Sequence, residues 1–250
     1  MLLSASEIIS RTWKTFTTHF TEIAKFMLVF GLFFAGVQGL RVLSLTIGFT
    51  GNILLLLAVF FLASIAAGLF IFWLKLALVK SLGEVVQNQR VEGIISALKS
   101  TGPLFLPAFG ASILVGVLVF FGTLLLVIPG VIFAVWYIFT TYNIIFEKKG
   151  VVEAMKMSKV MVVGRWWGVA WRIFIPPAAF ILSLILLQAL LMSPLAFLSN
   201  VEPKVYDVIN VILSAVVTGI FTPLSVLAIL ILYFNLRENP QVSEPNLLQK

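Results

Sequence analysis

The sequence predicts an all-α integral membrane protein with six transmembrane helices, arranged as three hairpins that are each preceded by an amphipathic interfacial helix. Three observations support this fold class. Only 11% of the 250 residues are charged and 61% are hydrophobic, so the chain lacks the charged surface that a soluble domain of this size needs. Several charge-free stretches exceed the roughly 20 apolar residues that cross a bilayer core. The basic residues fall almost entirely between alternate stretches.

Gaps between charged residues locate the spans, because a charged side chain is costly in the hydrocarbon core. The stretch 100–146 carries no charge and is long enough for two spans. Pro129-Gly130 interrupts it, and this pair is typical of a tight turn, so the two spans form a hairpin. The six predicted spans lie at about 23–40, 53–74, 104–128, 131–146, 173–193 and 208–234.

Prolines and glycines predict irregular backbone at three further places. Thr50-Gly51-Asn52 is a turn signal ahead of the second span. Pro176-Pro177 removes two backbone donors from the fifth span, so we expect a kink or a break there. Gly219 and Pro223 predict a kink in the sixth span.

Three segments that precede the hairpins have the pattern of helices lying in the membrane interface. The first, 4–20, begins with a capping box at Ser4 and Glu7. The other two are 91–99 and 151–163, and similar short strings in the first two segments suggest a threefold repeat. The apolar faces expected toward lipid are Ile9, Trp13, Phe16 and Phe20 in the first segment, and Val152, Met155 and either Val160 or Val163 in the third.

The distribution of basic residues predicts the orientation. Of the 17 Lys and Arg residues, 15 fall on the side of the N-terminus and only Arg41 and Lys204 on the other. Because Lys and Arg are enriched in cytoplasmic loops, we expect an inner-membrane protein with both termini, including a polar tail at 238–250, in the cytoplasm. The net charge of +7 then indicates topology and contact with anionic headgroups rather than nucleic-acid binding. A protein partner or a homo-oligomer is also compatible with the sequence.

Few residues are suited to catalysis. The chain has no cysteine and a single histidine, His19, which we interpret as an interfacial polar residue. No ionisable residue lies in the middle of a span, whereas ion-coupled transporters and intramembrane enzymes usually need one. The sequence therefore predicts no enzyme activity, no catalytic residue, no metal site and no cofactor.

A stripe of polar residues in the later spans is the strongest candidate for a binding surface. Four of them repeat at every fourth position of the sixth span, so they face other helices or a cavity. Two interpretations are open: hydrogen bonding between helices, or a polar cleft that forms a substrate path. The candidate residues are Thr140, Asn143, Gln188, Asn210, Ser214, Thr218 and Thr222.

Glu147 and Arg165 flank the third interfacial helix. They either pair, which would pin this helix to its neighbours, or remain two solvated charges. Gly164 and Gly168 have GxxxG spacing, but they lie before the fifth span rather than within it. We therefore expect a bend there rather than a dimer interface.

The order of motifs between residues 129 and 167 resembles a prokaryotic membrane family. This family includes the membrane region of some glycerophosphoryl diester phosphodiesterases, together with stand-alone relatives of unknown function. The resemblance implies membrane location and the six-span layout, but no hydrolase activity, since the phosphodiesterase domain is absent. Met155 departs from the leucine that is usual in the motif. The residues that carry the resemblance are Pro129, Gly130, Trp136, Tyr137, Glu147, Gly150, Glu153, Ala154, Lys156, Met157, Ser158, Gly164, Arg165, Trp166 and Trp167.

The interfacial segments are basic, and no ionisable residue lies in the middle of a span. Together these two features favour a non-enzymatic role that concerns the bilayer: lipid handling, membrane organisation or a scaffold. The alternative is a transporter or channel for a small or amphiphilic molecule, using a polar cleft between the fourth, fifth and sixth spans.

Overall fold

The structure, a computed structural model, describes residues 2–46, 53–89, 91, 93–197 and 203–240. The turn expected at 50–52 and the tail from 241 onward lie outside the described residues. Within them, every regular element is an α-helix. In chain order the helices are α1 (Ala5–Thr18), α2 (Phe20–Thr46), α3 (Ile53–Val86), α4 (Ile94–Leu125), α5 (Val127–Tyr137), α6 (Thr140–Glu147), α7 (Val151–Val162), α8 (Trp166–Phe197) and α9 (Pro203–Glu238).

Six helical segments are long and apolar enough to cross a membrane. They are α2, α3, α4, the pair α5 and α6 taken together, α8 and α9. The predicted all-α fold with six membrane-spanning segments is confirmed, and the chain is a multi-pass membrane protein.

Helix α9 lies at the centre of the bundle. It packs against α1, α2, α3 and α8, and 56% of its most apolar stretch is buried, compared with 6% for α3. Small residues allow α2 and α9 to approach closely, as is common between membrane helices. A Cβ atom added at Gly219 would lie 2.8 Å from the carbonyl oxygen of Met27, and one at Gly31 would lie 3.2 Å from that of Ala215.

The buried core is concentrated at one end of the bundle. We call it the basic end, defined by α1, α7 and the C-terminal parts of α3, α6 and α9. Its fully buried side chains include Ile8, Leu82, Ile144 and Leu230. The other end, which we call the opposite end, holds the turn between α4 and α5 and the C-terminal part of α8, where large apolar side chains are exposed.

The turn between α4 and α5 lies at Leu126, so the predicted turn at Pro129-Gly130 is wrong. Leu126 is extended, with φ −161° and ψ 144°, and it both ends α4 and caps α5. Pro129 falls in the first turn of α5, where a missing N–H costs no helical hydrogen bond. Gly130 is needed for close packing instead, because an added Cβ would lie 2.8 Å from the backbone nitrogen of Thr123.

The second interfacial helix, expected at 91–99, is not a separate helix. Residues 94–99 form the first turns of α4, which continues without interruption through Pro103 and Pro107 to Leu125. The second span is likewise longer than expected, since α3 extends to Val86 rather than ending near residue 74.

The proline pair in the fifth span does not break it. Helix α8 runs from Trp166 to Phe197 through Pro176 and Pro177, so of the two predicted alternatives, a kink or a break, the break is wrong. A proline φ near −65° is helical, and neighbouring groups in a membrane bundle can satisfy the carbonyls that lose their donors. Helix α9 is also continuous through Gly219 and Pro223.

Candidate functional site

Polar side chains meet around the C-terminal part of α9, at the basic end. We call this group the α9 hub: Asn143, Glu147, Tyr233, Asn235 and Arg237. The Tyr233 hydroxyl lies 3.2 Å from Oδ1 of Asn143, and Nε of Arg237 lies 2.8 Å from Oε1 of Glu147. These contacts join α6 to α9 at the basic end of the bundle.

The hub also holds the start of the chain. The backbone N–H of Leu3 donates to Oδ1 of Asn235 at 3.1 Å. The guanidinium of Arg172 on α8 donates to the Leu3 carbonyl and, at 2.6 Å, to the carbonyl of Gly168. The N-terminus, α8 and α9 are therefore tied together, which fixes α1 against the bundle.

Arg165 neither pairs with Glu147 nor remains a free solvated charge, so both sequence interpretations of this residue are wrong. Its guanidinium donates to the carbonyls of Asn239 at 2.8 Å and Leu236 at 3.3 Å. These carbonyls lie at the end of α9, where a cation stabilises the helix dipole and groups left without a helical donor. Burial lowers the pKa of Arg165, but an arginine stays protonated in proteins.

The fourth span, predicted as one helix, is interrupted between α5 and α6, and Ser158 of α7 bridges the interruption. The Ser158 hydroxyl donates to the carbonyl of Trp136 at 2.7 Å and accepts from the backbone N–H of Phe139 at 3.1 Å. One turn earlier in α7, the carbonyl of Ala154 accepts from the side-chain amide of Asn143 at 3.0 Å. A break inside a span leaves backbone groups without partners, and here α7 supplies them.

Helix α1 has the predicted capping box, with both Ser4 and Glu7 bonds present, but the predicted position of Phe16 toward lipid is wrong, because this side chain is buried. Ile8, Thr12 and Phe16 are buried against the protein, whereas Trp13 is 55% exposed and Phe20 is 50% exposed. The reason is that α1 packs on α8 and α9, so an apolar residue such as Phe16 contacts the bundle rather than lipid.

Helix α7 shows the same division. Val152, Val160 and Val163 are exposed, as expected, together with Lys156 and Lys159. Met155 is buried with Ala154 and Ser158, so its predicted position toward lipid is wrong. Helix α7 packs on α6 along this buried face.

The remaining residues of the 129–167 motif have identifiable structural roles. Gly150 is the N-cap of α7, and Glu153 pairs with Lys149 at 2.6 Å. Lys159 lies 4.5 Å from the centre of the Trp136 ring, a cation–π distance.

The entry to α8 has the expected bend. Gly164 has φ 86°, a left-handed conformation that glycine adopts without strain. After it, Trp166 buries its ring nitrogen with no hydrogen-bond partner among the described residues. Trp167 is 71% exposed.

The candidate polar cleft is divided into two separate groups. Near the opposite end, the side-chain nitrogen of Gln188 on α8 lies 3.2 Å from both Asn210 Oδ1 and Ser214 Oγ on α9. This geometry supports hydrogen bonding between helices. Thr222 bonds the carbonyl of Thr218 within α9 at 2.8 Å.

The other two candidates of this cleft, Thr140 and Asn143, belong to the basic end. Asn143 is part of the α9 hub. The Thr140 hydroxyl is buried without a hydrogen-bond partner in the part of the chain that the structure describes. Among described residues, no hydrogen bond joins these two residues to the Gln188 group.

Comparison of the chain with family models, with curated proteins and with solved structures finds no match. The resemblance carried by residues 129–167 therefore stays a prediction. Across the described residues, no group of three His, Asp or Glu side chains is placed to hold a metal ion.

Sequence reasoning missed Tyr233, Asn235 and Arg237. They occupy alternating positions in the last turns of the final span. Tyr233 lies within an apolar run, and Asn235 follows directly after it. Their proximity to the end of a span was the available signal, but their partners lie more than 80 residues away along the chain.

Proposed function

We propose that this chain is a non-enzymatic protein of the cytoplasmic membrane that organises anionic lipid around its basic end. The observation that carries the proposal is the combination of exposed lysines with exposed tryptophans there. Lys156 and Lys159 are exposed on α7, and Trp13, Trp167 and Trp171 are exposed on α1 and α8. Tryptophan favours the headgroup region, and each lysine near an anionic surface contributes about 1 kcal/mol.

The proposal includes both termini in the cytoplasm. The basic end holds the N-terminus and the end of α9, and the bias of Lys and Arg toward that side supports a cytoplasmic location. Two single-cysteine variants test it in intact cells with a membrane-impermeant maleimide. Lys156→Cys at the basic end should be protected and Leu126→Cys at the opposite end should be labelled; the reverse pattern would invert the orientation.

The lipid role is tested in nanodiscs that contain equal amounts of phosphatidylglycerol and phosphatidylcholine. We expect native mass spectrometry to find phosphatidylglycerol enriched among the lipids that stay bound. The variant Lys156→Gln/Lys159→Gln should reduce this enrichment. The matched variant Arg41→Gln/Lys204→Gln removes the same charge from the other side and should not. Equal retention of both lipids by the unmodified protein would overturn the proposal.

Transport through a polar cleft is the alternative. It has less support, because Gln188, Asn210 and Ser214 satisfy one another by hydrogen bonds and so need no polar solute. Saturable solute flux in proteoliposomes that is lost in Asn210→Leu or Thr218→Val would favour transport over the lipid role.

A further inference from the structure

A cavity of about 320 Å³ opens at the basic end, between α1 and the C-terminal parts of α3 and α9. It is separate from the exposed lysines of α7 that carry the proposed function. Its polar lining comes from Arg11, Lys14, Thr15, His19, Asn88, Asn235 and Glu238. The volume is at the small end of the range for ligand pockets, about 300–1,000 Å³, and suits a headgroup rather than a whole lipid.

The two cations of this cavity are not fixed by ion pairs among the described residues, although Arg11 interacts with the charge of Glu7, one turn earlier on α1. The Arg11 and Lys14 side chains form no hydrogen bond and no salt bridge with any described residue, whereas the side chains of Lys25, Lys80, Lys149 and Arg237 all form salt bridges. Both are exposed on the same face of α1, three residues apart. Two cations beside a cavity that form no salt bridge with a described residue are suited to a doubly or singly charged phosphate.

Neutral donors of the cavity are positioned by the fold. Asn235 has its side-chain oxygen occupied by the backbone N–H of Leu3, which leaves its Nδ2 group to donate. Thr15 lies one turn before His19, the C-cap of α1, and both residues line the cavity. The arrangement therefore offers donors beside the two positive charges.

The remaining wall is apolar and lies next to a membrane span. Val85, Ile231 and Phe234 line it and are buried. His19 marks the point where α1 ends and α2, the first span, begins. The cavity thus sits at the level of the headgroups, with an apolar side for a glycerol or the start of an acyl chain.

We infer that this cavity binds a single phosphate-bearing group, held by Arg11 and Lys14 and flanked by Asn235. The inference deepens the proposed lipid role by assigning one discrete site, and it rests on that role only for the source of the phosphate. The same chemistry fits an anionic phospholipid headgroup and a free phosphate. The one acidic residue in the lining, Glu238, opposes the bound charge.

The test is calorimetric titration of the full chain in a non-ionic detergent. The probes are short-chain phosphatidylglycerol and inorganic phosphate. We expect saturable binding of phosphatidylglycerol at one site. Arg11→Gln/Lys14→Gln should weaken it about 25-fold, which is roughly fivefold for each charge removed. Both residues are exposed, so the helix content of this variant should match that of the unmodified protein.

Two further variants test whether the change in affinity arises from the residues of this cavity. Glu238→Gln removes the opposing carboxylate and should tighten binding about fivefold. Arg41→Gln/Lys204→Gln removes the same charge as the first variant but lies on the other side of the membrane, so it should leave the affinity within about twofold. Competition by inorganic phosphate at similar concentrations would identify a soluble phosphate as the ligand, and weak competition would identify a lipid headgroup.

The inference fails if the two double variants weaken binding equally, or if Glu238→Gln leaves it unchanged. In the first case the lipid enrichment in nanodiscs would still support the proposed function, without a discrete site. Conversely, one-site binding of phosphate without lipid enrichment would support the cavity and overturn the lipid role.

Discussion

The two ends of the bundle differ in how their helices are held. At the basic end, buried apolar residues surround α9, and the α9 hub ties α6 and the N-terminus to it. At the opposite end, most large apolar side chains of α3, α4 and α8 are exposed. A hydrogen-bonded group, Gln188 with Asn210 and Ser214, joins α8 to α9 there.

This difference shows where stability comes from in a chain of this composition. Lipid tails are as apolar as leucine, so an exposed apolar side chain gains little by moving into the protein. Packing and hydrogen bonds hold membrane helices together, and both are concentrated at the basic end. We therefore expect changes at that end to have the larger effects.

The largest effect should come from Ser158→Ala. This change leaves the carbonyl of Trp136 and the N–H of Phe139 without their partner inside a span, at a cost of about 3 kcal/mol. Thermal unfolding in detergent measures the loss. Ser183→Ala on α8 is the matched control, since the Ser183 hydroxyl bonds only a carbonyl of its own helix. Equal losses in the two variants would contradict the bridging role of Ser158.

A pair of leucines compares the ends directly. Leu230 on α9 is 0% exposed and Leu186 on α8 is 62% exposed. Leu230→Ala should destabilise the protein by about 2 kcal/mol, the low end of the range for buried leucines, because lipid offsets the transfer part of the loss. Leu186→Ala should change stability by less than about 0.5 kcal/mol. If both variants lose the same stability, the two ends are equally packed.

Gln188→Leu tests the polar group of the opposite end. Hydrogen bonds between membrane helices are worth about 0.6 kcal/mol each on average, so the loss of two should cost about 1 kcal/mol. Chemical unfolding of the reconstituted protein measures it. Gln89→Leu, in a connecting segment with a single 3.4 Å side-chain contact, is the control. A stabilised Gln188→Leu protein would show that these bonds do not hold α8 to α9.

The smallest effect concerns Glu7 and pH. The hydrogen bond from the Ser4 backbone, and next the one from its hydroxyl, hold the pKa of Glu7 below its ordinary value. A carboxyl whose pKa is lowered by folding contributes stability above its unfolded pKa of about 4.3 and loses it as the pH falls through the folded value. The melting temperature of the unmodified protein should therefore exceed that of Glu7→Gln at pH 7, and the difference should vanish in acid. A difference that is independent of pH would contradict this origin.

Local sequence patterns were sufficient for features that depend on neighbouring residues. The capping box at Ser4 and Glu7 and the bend at Gly164 were both predicted, because each depends on residues within a few positions. Pro129-Gly130 misled for the opposite reason. The pair is compatible with a turn and with the first turn of a helix, and the contact of Gly130 with Thr123 decides between them.

Predictions from local sequence were wrong for residues whose partners are distant along the chain. Arg165 lies 74 residues from Asn239, and nothing near it predicts that it caps the end of α9. Met155 and Phe16 are apolar residues on amphipathic helices. Whether such a residue faces lipid or protein depends on which helices pack beside it.

The sequence by itself determined that this chain crosses a membrane six times as helices, because composition and charge gaps follow from the cost of charge in a bilayer. The sequence also determined that the basic residues group on one side of the spans. Only the tertiary structure decided which polar groups meet. In a chain that is apolar almost throughout, hydrophobicity does not determine which helices pack together. Close packing at glycines and hydrogen bonds at the α9 hub determine it.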